Sequence, residues 1–207
     1  MITVICVIIV YIKKYKMFSK NIKNKILEIR KFGLKNNIPN VTENVGLFLK
    51  FIIKNNSNIK NVLEIGSCNG LSSIYMLSEL SKRNGKLDTI EYVPHSILRL
   101  KKNINSLEFN KYTNIISEDA ILYLNKINKE IKKNKYDLVF IDAMKKQYLD
   151  YYLNIKNITK KGSIIIFDDV IKYKYKMENL YNYLNKEKID YTIINIDSDD
   201  GIMIIKK

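Results

Sequence analysis

Near the amino terminus, apolar residues recur at every third or fourth position, which is the period of an amphipathic helix. The stretch 19–37 predicts a first helix with Ser19 as its N-cap, and the stretch 41–56 predicts a second helix capped by Thr42. Pro39 separates the two stretches, because proline does not continue a helix. Two helices are therefore expected ahead of the first strand.

From residue 61 onward the pattern changes, and short apolar runs alternate with amphipathic stretches. The runs that predict strands cover residues 61–66, 86–92, 113–119, 136–143, 162–170, 191–197 and 201–207. The stretches that predict helices cover residues 71–83, 95–109, 120–134, 145–159 and 174–188. Strands that alternate with such helices form a mostly parallel sheet covered on both faces. The turn signal SDDG joins the last two strands, so we expect an α/β fold with seven strands, the last of them antiparallel.

Acidic residues follow two of the predicted strands. Asp142 ends the run that begins at Tyr136, and Asp168 and Asp169 end a later run. Because open parallel sheets bind ligands at the carboxyl ends of their strands, we expect these carboxylates to converge at one edge. Converging carboxylates need a cation, and ligands that are all oxygen suit Mg²⁺ or Ca²⁺ rather than zinc. The alternative is that each aspartate only caps the helix after it.

A lysine stands close to the first of these acids, since Lys145 follows Asp142 by three residues. Beside a bound divalent cation the pKa of this lysine would fall, and its neutral amine could then act as a general base. Asp142 and Lys145 are therefore candidate catalytic residues.

The segment VLEIGSCNGLSS, residues 62–73, leads from a strand through a glycine turn into a helix. Gly66 and Gly70 let a ligand approach the backbone, but their spacing is neither the dinucleotide fingerprint nor a phosphate-binding loop. Glu91 ends the second strand and can accept both hydroxyls of a ribose, while Asp119 after the third strand could face an adenine. The alternatives are an ordinary turn with a surface glutamate and a simple helix cap.

The net charge of +15 is concentrated near the amino terminus. Residues 1–61 carry 12 Lys and Arg against 2 acidic residues, whereas residues 62–207 carry 24 against 19. A basic N-terminal third suggests a polyanionic partner, with nucleic acid as the first candidate. The alternative is a compositional bias, because Lys, Asn and Ile are abundant throughout the chain.

Two residue types that build metal and disulfide sites are scarce. The single histidine, His95, excludes a site made of several histidines. The two cysteines, Cys6 and Cys68, are too few and too far apart for a disulfide framework or a cysteine-rich zinc site. This usage fits a reducing compartment, so we expect a cytoplasmic protein.

Residues 2–12 are apolar, and the basic segment KKYK follows them. Eleven residues are too few for a helix that spans a bilayer, and no positive charge precedes them as in a secretory signal. Met17 offers another start, so we expect residues 1–16 to be a start-site artefact or a short extra segment without stable membrane insertion. The alternative is a membrane tether through residues 2–12.

The chain is predicted to have three units. Residues 1–16 are an extension, residues 17–61 are N-terminal helices that cover the site, and residues 62–207 are a ligand-binding core.

Five motifs, VLEIGSCNGLSS, IEY, EDA, FIDAMKKQY and IIIFDDV, occur in this order. In order and spacing they resemble the class I S-adenosylmethionine (SAM)-dependent O-methyltransferases of the catechol and caffeoyl-CoA type, over about residues 20–207. Within that family, DAMKKQY and the lead-in IRKFGLKNNIP look most like the bacterial tRNA 5-hydroxyuridine methyltransferases. That group usually shows D-A-A-K-G-Q-Y and methylates a wobble uridine.

The resemblance implies a Rossmann-like methyltransferase fold and a role for each matching residue. It implies that Lys145 is the base for the substrate hydroxyl and that Mg²⁺, or another divalent cation, is held by Asp142, Asp168 and Asp169. It implies that SAM is bound by Val41, Glu64, Gly66, Ser72, Glu91, Asp119, Ala120 and Asp142. Members of the family tend to form dimers, so a homodimer is expected.

Four positions depart from the family pattern. Asp169 replaces the usual Asn and adds a negative charge, Glu118 and Lys146 each replace Gly, and Met144 replaces Ala. Lys146 could contact RNA phosphate or could indicate another substrate.

The expected activity is Mg²⁺-dependent transfer of a methyl group from SAM to 5-hydroxyuridine in tRNA, which gives 5-methoxyuridine. One alternative is methylation of a small catechol-like or phenolic molecule. A further alternative is a non-catalytic RNA-binding protein on the same fold.

Overall fold

The computed structural model describes residues 17–130 and 135–207. The expectations for residues 1–16, including the membrane tether, lie outside these ranges. Within them, no helix combines the length and the apolar composition that a membrane crossing requires.

Two helices precede the sheet, as the apolar spacing predicted. They are α1 (Lys20–Lys35) and α2 (Glu43–Asn55). The predicted caps are confirmed, because the Ser19 hydroxyl accepts a hydrogen bond from the Ile22 amide and Thr42 accepts one from the Val45 amide. Each cap satisfies one of the amides that a helix start leaves without a partner.

The described residues form one sheet of seven strands in the order β3-β2-β1-β4-β5-β7-β6. The strands are β1 (Asn61–Ile65), β2 (Lys86–Ile90), β3 (Thr113–Ile116), β4 (Tyr136–Ile141), β5 (Thr159–Phe167), β6 (Thr192–Ile194) and β7 (Ile202–Lys206). Strands β1 to β5 pair in parallel, and β7 is antiparallel to both β5 and β6. The predicted Rossmann-like sheet with an antiparallel last strand is confirmed.

Helices connect the strands on both faces of the sheet. They are α3 (Leu71–Leu80), α4 (Pro94–Asn105), α5 (Ala120–Glu130), α6 (Tyr148–Ile155) and α7 (Glu178–Lys186). Short 3₁₀ turns cover Ser81–Arg83, Asn110–Tyr112, Lys145–Gln147 and Lys174–Lys176. The end of the predicted helix 120–134 lies partly outside the described residues.

One predicted boundary is wrong. The helix expected over 145–159 ends at Ile155, and Thr159 already belongs to β5. The Thr159 hydroxyl donates to the Ile155 carbonyl and so occupies an acceptor at the end of α6. The polar residues after it fall in a register shift of the β4–β5 pairing, and Gly162, with a positive φ of 81°, donates to the Lys207 carbonyl.

Successive residues of the central strands enter different cores. Val62 and Phe140 pack with α1 to α4, whereas Leu63 and Ile141 pack with α5 to α7 on the opposite face. Both faces are buried, which explains the nearly continuous apolar runs of these strands. The carboxyl ends of β1, β2, β4 and β5 therefore open along one edge, between two layers of helices.

Candidate active site

The backbone hydrogen bonds between strands continue one residue beyond several strands, and they hold the backbone of the acidic residues there. The Asp142 amide donates to the Ile65 carbonyl, and the Asp168 amide donates to the Ile141 carbonyl, at 2.9 and 3.0 Å. The Glu91 amide makes the same kind of bond across β2 and β3. Asp142, Asp168 and Glu91 are therefore held at the carboxyl edge by backbone hydrogen bonds.

A cavity of about 650 Å³, here called the central cavity, opens at this edge beside the turn after β1. The predicted site residues in its wall are Val41, Gly66, Ser72, Asp142, Lys145 and Asp169. Val41 comes from the segment between α1 and α2, so this segment closes one side of the site. The structure therefore brings residues from distant parts of the sequence to one cavity.

A second cavity of about 440 Å³, the side cavity, lies beside the ends of β2 and β3. Its wall contains Glu91, Asp119 and Ala120, and it shares Gly66 and Asp142 with the central cavity. The two cavities therefore meet at the carboxyl end of β4. An elongated ligand can lie across both, with its two ends in different cavities.

Two acids in the side cavity are already partnered by backbone amides. Glu91 accepts bonds from the amides of Cys68, Tyr92 and Val93, and Asp119 caps α5 through two amides. The helix-cap interpretation of Asp119 is therefore correct as far as its Oδ1 is concerned. These bonds fix both carboxylates, and a fixed carboxylate is a better hydrogen-bond acceptor for a ligand than a mobile one.

Gly66 occupies a position that no other residue can fill without a shift of the backbone. Its φ is 88°, and a Cβ there would lie 2.2 Å from the carbonyl oxygen of Asp142. The absence of a side chain lets the turn after β1 pack directly against the end of β4. This contact joins the glycine turn to Asp142, where the two cavities meet.

Glu64, another predicted ligand of SAM, does not line either cavity. It is fully buried behind the turn, and its carboxylate accepts bonds from the hydroxyls of Ser72, Ser73 and Thr89 at 2.5, 2.5 and 2.6 Å. Burial raises the pKa of Glu64 to about 7, although the three hydroxyls act in the opposite direction. Glu64 thus holds Ser72, which does lie in the wall of the central cavity.

Lys145 bridges two of the predicted metal ligands. Its Nζ lies 2.7 Å from Asp142 Oδ1 and 2.9 Å from Asp169 Oδ2. Burial alone would lower the pKa of Lys145, but the negative charges of Asp142 and Asp169 outweigh it and raise the pKa. In this arrangement the amine is therefore an ammonium ion, and a base at this position requires that the carboxylates be neutralised by another cation.

Tyr148 also contacts the ammonium group of Lys145. Its ring is fully buried, and its hydroxyl lies 2.8 Å from Lys145 Nζ. The hydroxyl also lies 3.1 and 3.2 Å from the carbonyls of Asp168 and Ile141. Because burial raises its pKa, this phenol stays protonated, so it donates to a carbonyl and accepts from Lys145.

The surroundings of the Asp168 carboxyl group disfavour its negative charge. It is almost completely buried, and burial together with the charges of Asp142 and Asp169 raises its pKa well above the usual range. Asp169 follows in the left-handed region, with a φ of 57°. Three oxygen ligands under mutual repulsion have the chemistry that suits a hard divalent cation.

The three acids also line a smaller cavity of about 220 Å³, the acidic cavity, with residues of the β6–β7 turn. These residues are Asp197, Asp199 and Asp200. Nowhere in residues 17–130 and 135–207 do three or more His, Cys, Asp or Glu side chains already stand in metal-binding geometry. The donor types therefore fit a divalent cation, whereas the observed side-chain positions are those of an ion-paired lysine.

Several residues of the site were not identified from the sequence. The Tyr148 ring packs in the core, and the contact of its hydroxyl with Lys145 was not predicted. Its spacing of three residues from Lys145 was the available signal. Tyr173 and Lys176 line the central cavity from the segment after β5, and nothing in their local sequence indicated this.

The fold and the site together define a class of protein. A mostly parallel sheet with an antiparallel last strand, a glycine turn after β1 and an acid at the end of β2 is the arrangement of the class I SAM-dependent methyltransferases. The chain matches the O-methyltransferase family over residues 17–205, and it belongs to this family.

Known relatives carry related names. The chain is 33% identical to catechol O-methyltransferase of Niastella koreensis. The aligned region of 132 residues covers 64% of this chain and 58% of that protein. The chain spans about half the length of the curated relatives that it matches.

Solved structures show the same fold at lower sequence identity. The O-methyltransferase from Bacillus cereus in complex with SAH has a TM-score of 0.77 at 22% identity, over 95% of this chain and 96% of that chain. The O-methyltransferase TomG from Streptomyces achromogenes in complex with SAM has a TM-score of 0.75 at 17% identity, over 96% and 95%. At these identities the likeness establishes the fold.

Proposed function

We propose that this protein transfers the methyl group of SAM to the hydroxyl of 5-hydroxyuridine in tRNA. The observation that carries the proposal is the junction of the two cavities at Asp142, with Lys145 beside it in the central cavity. A cofactor that lies across this junction would have its centre beside Asp142, where the central cavity can also receive a methyl acceptor next to a potential base. The product would be 5-methoxyuridine.

The proposed position of SAM follows from the partners in each wall. Glu91 would accept the ribose hydroxyls, and Asp119 and Ala120 would lie beside the adenine in the side cavity. The methionine end would enter the central cavity near Ser72, with Val41 over it. This placement directs the sulfonium methyl toward Asp142 and Lys145.

The metal ligands in this proposal are Asp142, Asp168 and Asp169. These three carboxylates would hold Mg²⁺, and the chemistry supplied by the ion would be a lower pKa of the acceptor hydroxyl. The all-oxygen donor set and the raised pKa of Asp168 support this assignment. Asp142 and Asp168 are positioned by amide hydrogen bonds at the ends of β4 and β5, and the Asp169 amide donates to Asp168 Oδ1.

Lys145 would accept the proton of the acceptor hydroxyl once its own ion pairs with Asp142 and Asp169 are released. The acceptor oxygen then forms a bond to the methyl carbon as the carbon–sulfur bond breaks, and SAH leaves. Tyr148 keeps the amine next to the reacting oxygen throughout. The enclosing segment at Val41 helps to exclude water from the reacting atoms.

Lysines at the central cavity favour a nucleic-acid acceptor. Lys146 is exposed and Lys176 is half-buried, and both contribute to the cavity wall. An acceptor inside a polynucleotide brings phosphates to the mouth of the cavity, and these phosphates would pair with the lysines. The 5-hydroxyl and 4-carbonyl of the base supply two adjacent oxygens, as a catechol does.

A small catechol-like molecule is the second candidate acceptor. The names of relatives favour it, since the first of them is a catechol O-methyltransferase. Such a molecule would use the same carboxylates and Lys145 but would need no lysines at the cavity mouth.

The test is methyl transfer from labelled SAM to tRNA that carries 5-hydroxyuridine and, in parallel, to catechol, each with Mg²⁺ and after chelation. We expect Mg²⁺-dependent labelling of the tRNA, with little labelling of catechol. Labelling of catechol alone would show that the acceptor is the second candidate, a small catechol-like molecule. No labelling of either acceptor, with SAM bound, would contradict both.

A further inference from the structure

A groove of about 200 Å³ lies between α1 and α4, separate from the acidic residues of the active site. We call it the helix groove, and the residues of its wall used here are Glu28, Phe32, Asn69, Arg99, Lys102 and Asn103. Asn69 belongs to the turn after β1 and also lines the central cavity. The helix groove therefore adjoins the turn that borders the proposed cofactor site.

Two cations on α4 face this groove. Arg99 and Lys102 are three residues apart, which places them on one side of the helix. The Arg99 guanidinium stacks over the Phe32 ring, with its carbon 3.7 Å from the ring centroid. A guanidinium that stacks on a ring lies in a plane parallel to that ring. Its N–H groups point outward in this plane and can still donate hydrogen bonds to oxygen atoms.

The charge of the groove is positive. Across residues 17–130 and 135–207, neither Arg99 nor Lys102 forms an ion pair with a carboxylate. The acid in the wall, Glu28, is already paired with Lys25 at 2.7 Å. An anion that enters the groove would therefore meet two uncompensated cations and one neutralised carboxylate.

The inner wall carries an amide without a hydrogen-bond partner. Asn69 is only 2% exposed, and neither its Oδ1 nor its Nδ2 has a partner in the described part of the chain. Its backbone carbonyl accepts a bond from Asn103 Nδ2 at 2.9 Å, which ties the turn to α4. A buried amide that lacks partners is destabilising, so a polar occupant of the groove that bonds to it would stabilise the site.

We propose that the helix groove binds a phosphate group. Arginine, lysine and amide N–H groups are the donors that recognise phosphate oxygens, and the groove brings all three together. Its volume of about 200 Å³ is below that of sites for whole small molecules, which take about 300–1,000 Å³. The occupant is therefore one phosphate, either free or within an RNA backbone.

The test is calorimetric titration of the full chain with inorganic phosphate and, separately, with a short RNA that lacks 5-hydroxyuridine. The variant is Arg99→Gln combined with Lys102→Gln, in which two exposed side chains lose their charge and keep a polar end. Lys101→Gln is the matched control, because Lys101 is exposed on the other side of the same helix.

We expect the double variant to weaken phosphate binding by about tenfold or more, while Lys101→Gln leaves it unchanged. If inorganic phosphate binds and responds in this way, the phosphate group alone is sufficient. If only the RNA does so, the groove takes the phosphate of a polynucleotide. Equal affinity in all three proteins, or no binding of either probe, would overturn the proposal. Neither titration contains SAM or a methyl acceptor, so the result is independent of the proposed reaction.

Discussion

At the scale of single residues, the central role belongs to Lys145, whose amine is held by two carboxylates and a phenol. We expect Lys145→Met to lower kcat by about 10²–10⁴-fold, because general base catalysis contributes a factor of this size. The affinity for SAM should change little, since no SAM contact is assigned to this side chain. Steady-state kinetics and SAM titration would measure both quantities.

Lys146→Met is the matched control for that variant, because it makes the same change one residue further along the chain. It should raise KM for tRNA and leave kcat within a few-fold of the wild type. An equal loss of kcat in both variants would contradict a specific role for Lys145.

Tyr148 is predicted to position Lys145 rather than to react itself. Tyr148→Phe keeps the buried ring and removes the hydroxyl, so the free energy of unfolding should fall by only about 1 kcal/mol. We expect kcat to fall by roughly tenfold while KM for SAM stays constant, because the misplaced amine affects only the chemical step. A purely structural tyrosine would lower stability without this selective effect on kcat.

Glu64 makes stability depend on pH. Burial raises its pKa from 4.5 to about 7 in the folded chain, so the folded state holds this proton more tightly than the unfolded state. The stability from this group is complete below pH 4.5 and is lost as the pH rises to about 7. The loss amounts to about 3 kcal/mol, since each unit of pKa corresponds to about 1.4 kcal/mol.

Glu64→Gln removes the titrating group and keeps nearly the same shape. Denaturant unfolding from pH 5 to pH 8 should therefore show a steeper decline in the wild type than in the variant. Parallel curves would show that Glu64 is not protonated in the folded protein.

At the scale of elements, the turn after β1 depends on the contact between Gly66 and the end of β4. Gly66→Ala would place a Cβ 2.2 Å from the Asp142 carbonyl oxygen at a φ of 88°. We expect a loss of several kcal/mol in stability, above the roughly 1–3 kcal/mol of backbone strain alone, together with weaker SAM binding.

Gly162→Ala is the matched control, because Gly162 also has a positive φ, of 81°, but no atom of the described residues lies within 4 Å of the position that its Cβ would take. This variant should lose only the stability that backbone strain accounts for, and it should bind SAM with the affinity of the wild type. Thermal unfolding and SAM titration of the two variants would separate strain from steric conflict. Equal effects would show that the Gly66 contact has no special role.

The elements themselves were largely predictable from the sequence, because apolar periodicity reports burial directly. The alternation of strands and helices, the final hairpin and the caps Ser19 and Thr42 all followed from local patterns. The start of β5 did not, since only Thr159 of the polar Thr159–Gly162 stretch pairs with β4, and Gly162 donates to the Lys207 carbonyl instead.

The site was predictable where it depends on strand ends and not where it depends on packing. Asp142 and Asp168 could be placed because parallel strands share an edge. The contact of Tyr148 with Lys145 and the indirect position of Glu64 behind Ser72 required the three-dimensional arrangement. Side chains from separate segments, such as Asn69 and Arg99, meet only after the helices pack.

At the scale of the whole molecule, the basic surface predicts how acceptor binding responds to salt. Each lysine that contacts RNA phosphate contributes about 0.7 to the slope of the logarithm of affinity against the logarithm of salt concentration. Combining Lys146→Gln with Lys176→Gln should therefore reduce this slope for tRNA by about 1.4. An unchanged slope in a binding titration would show that these lysines do not contact the RNA.

Lys60→Gln is the matched control, because Lys60 is exposed ahead of β1, at the opposite edge of the sheet from the site. Its slope should equal that of the wild type. A reduction in this control would mean that the charge acts through the whole protein rather than at the cavity mouth.

Methyl transfer to the 5-hydroxyl is best tested by comparing two tRNAs that differ by one oxygen atom. One carries 5-hydroxyuridine and the other carries uridine at the same position, and each is incubated with labelled SAM and Mg²⁺. We expect label only in the hydroxylated tRNA, recovered as 5-methoxyuridine, and no label with Lys145→Met. Equal labelling of both tRNAs, or full activity of the variant, would contradict transfer to that hydroxyl.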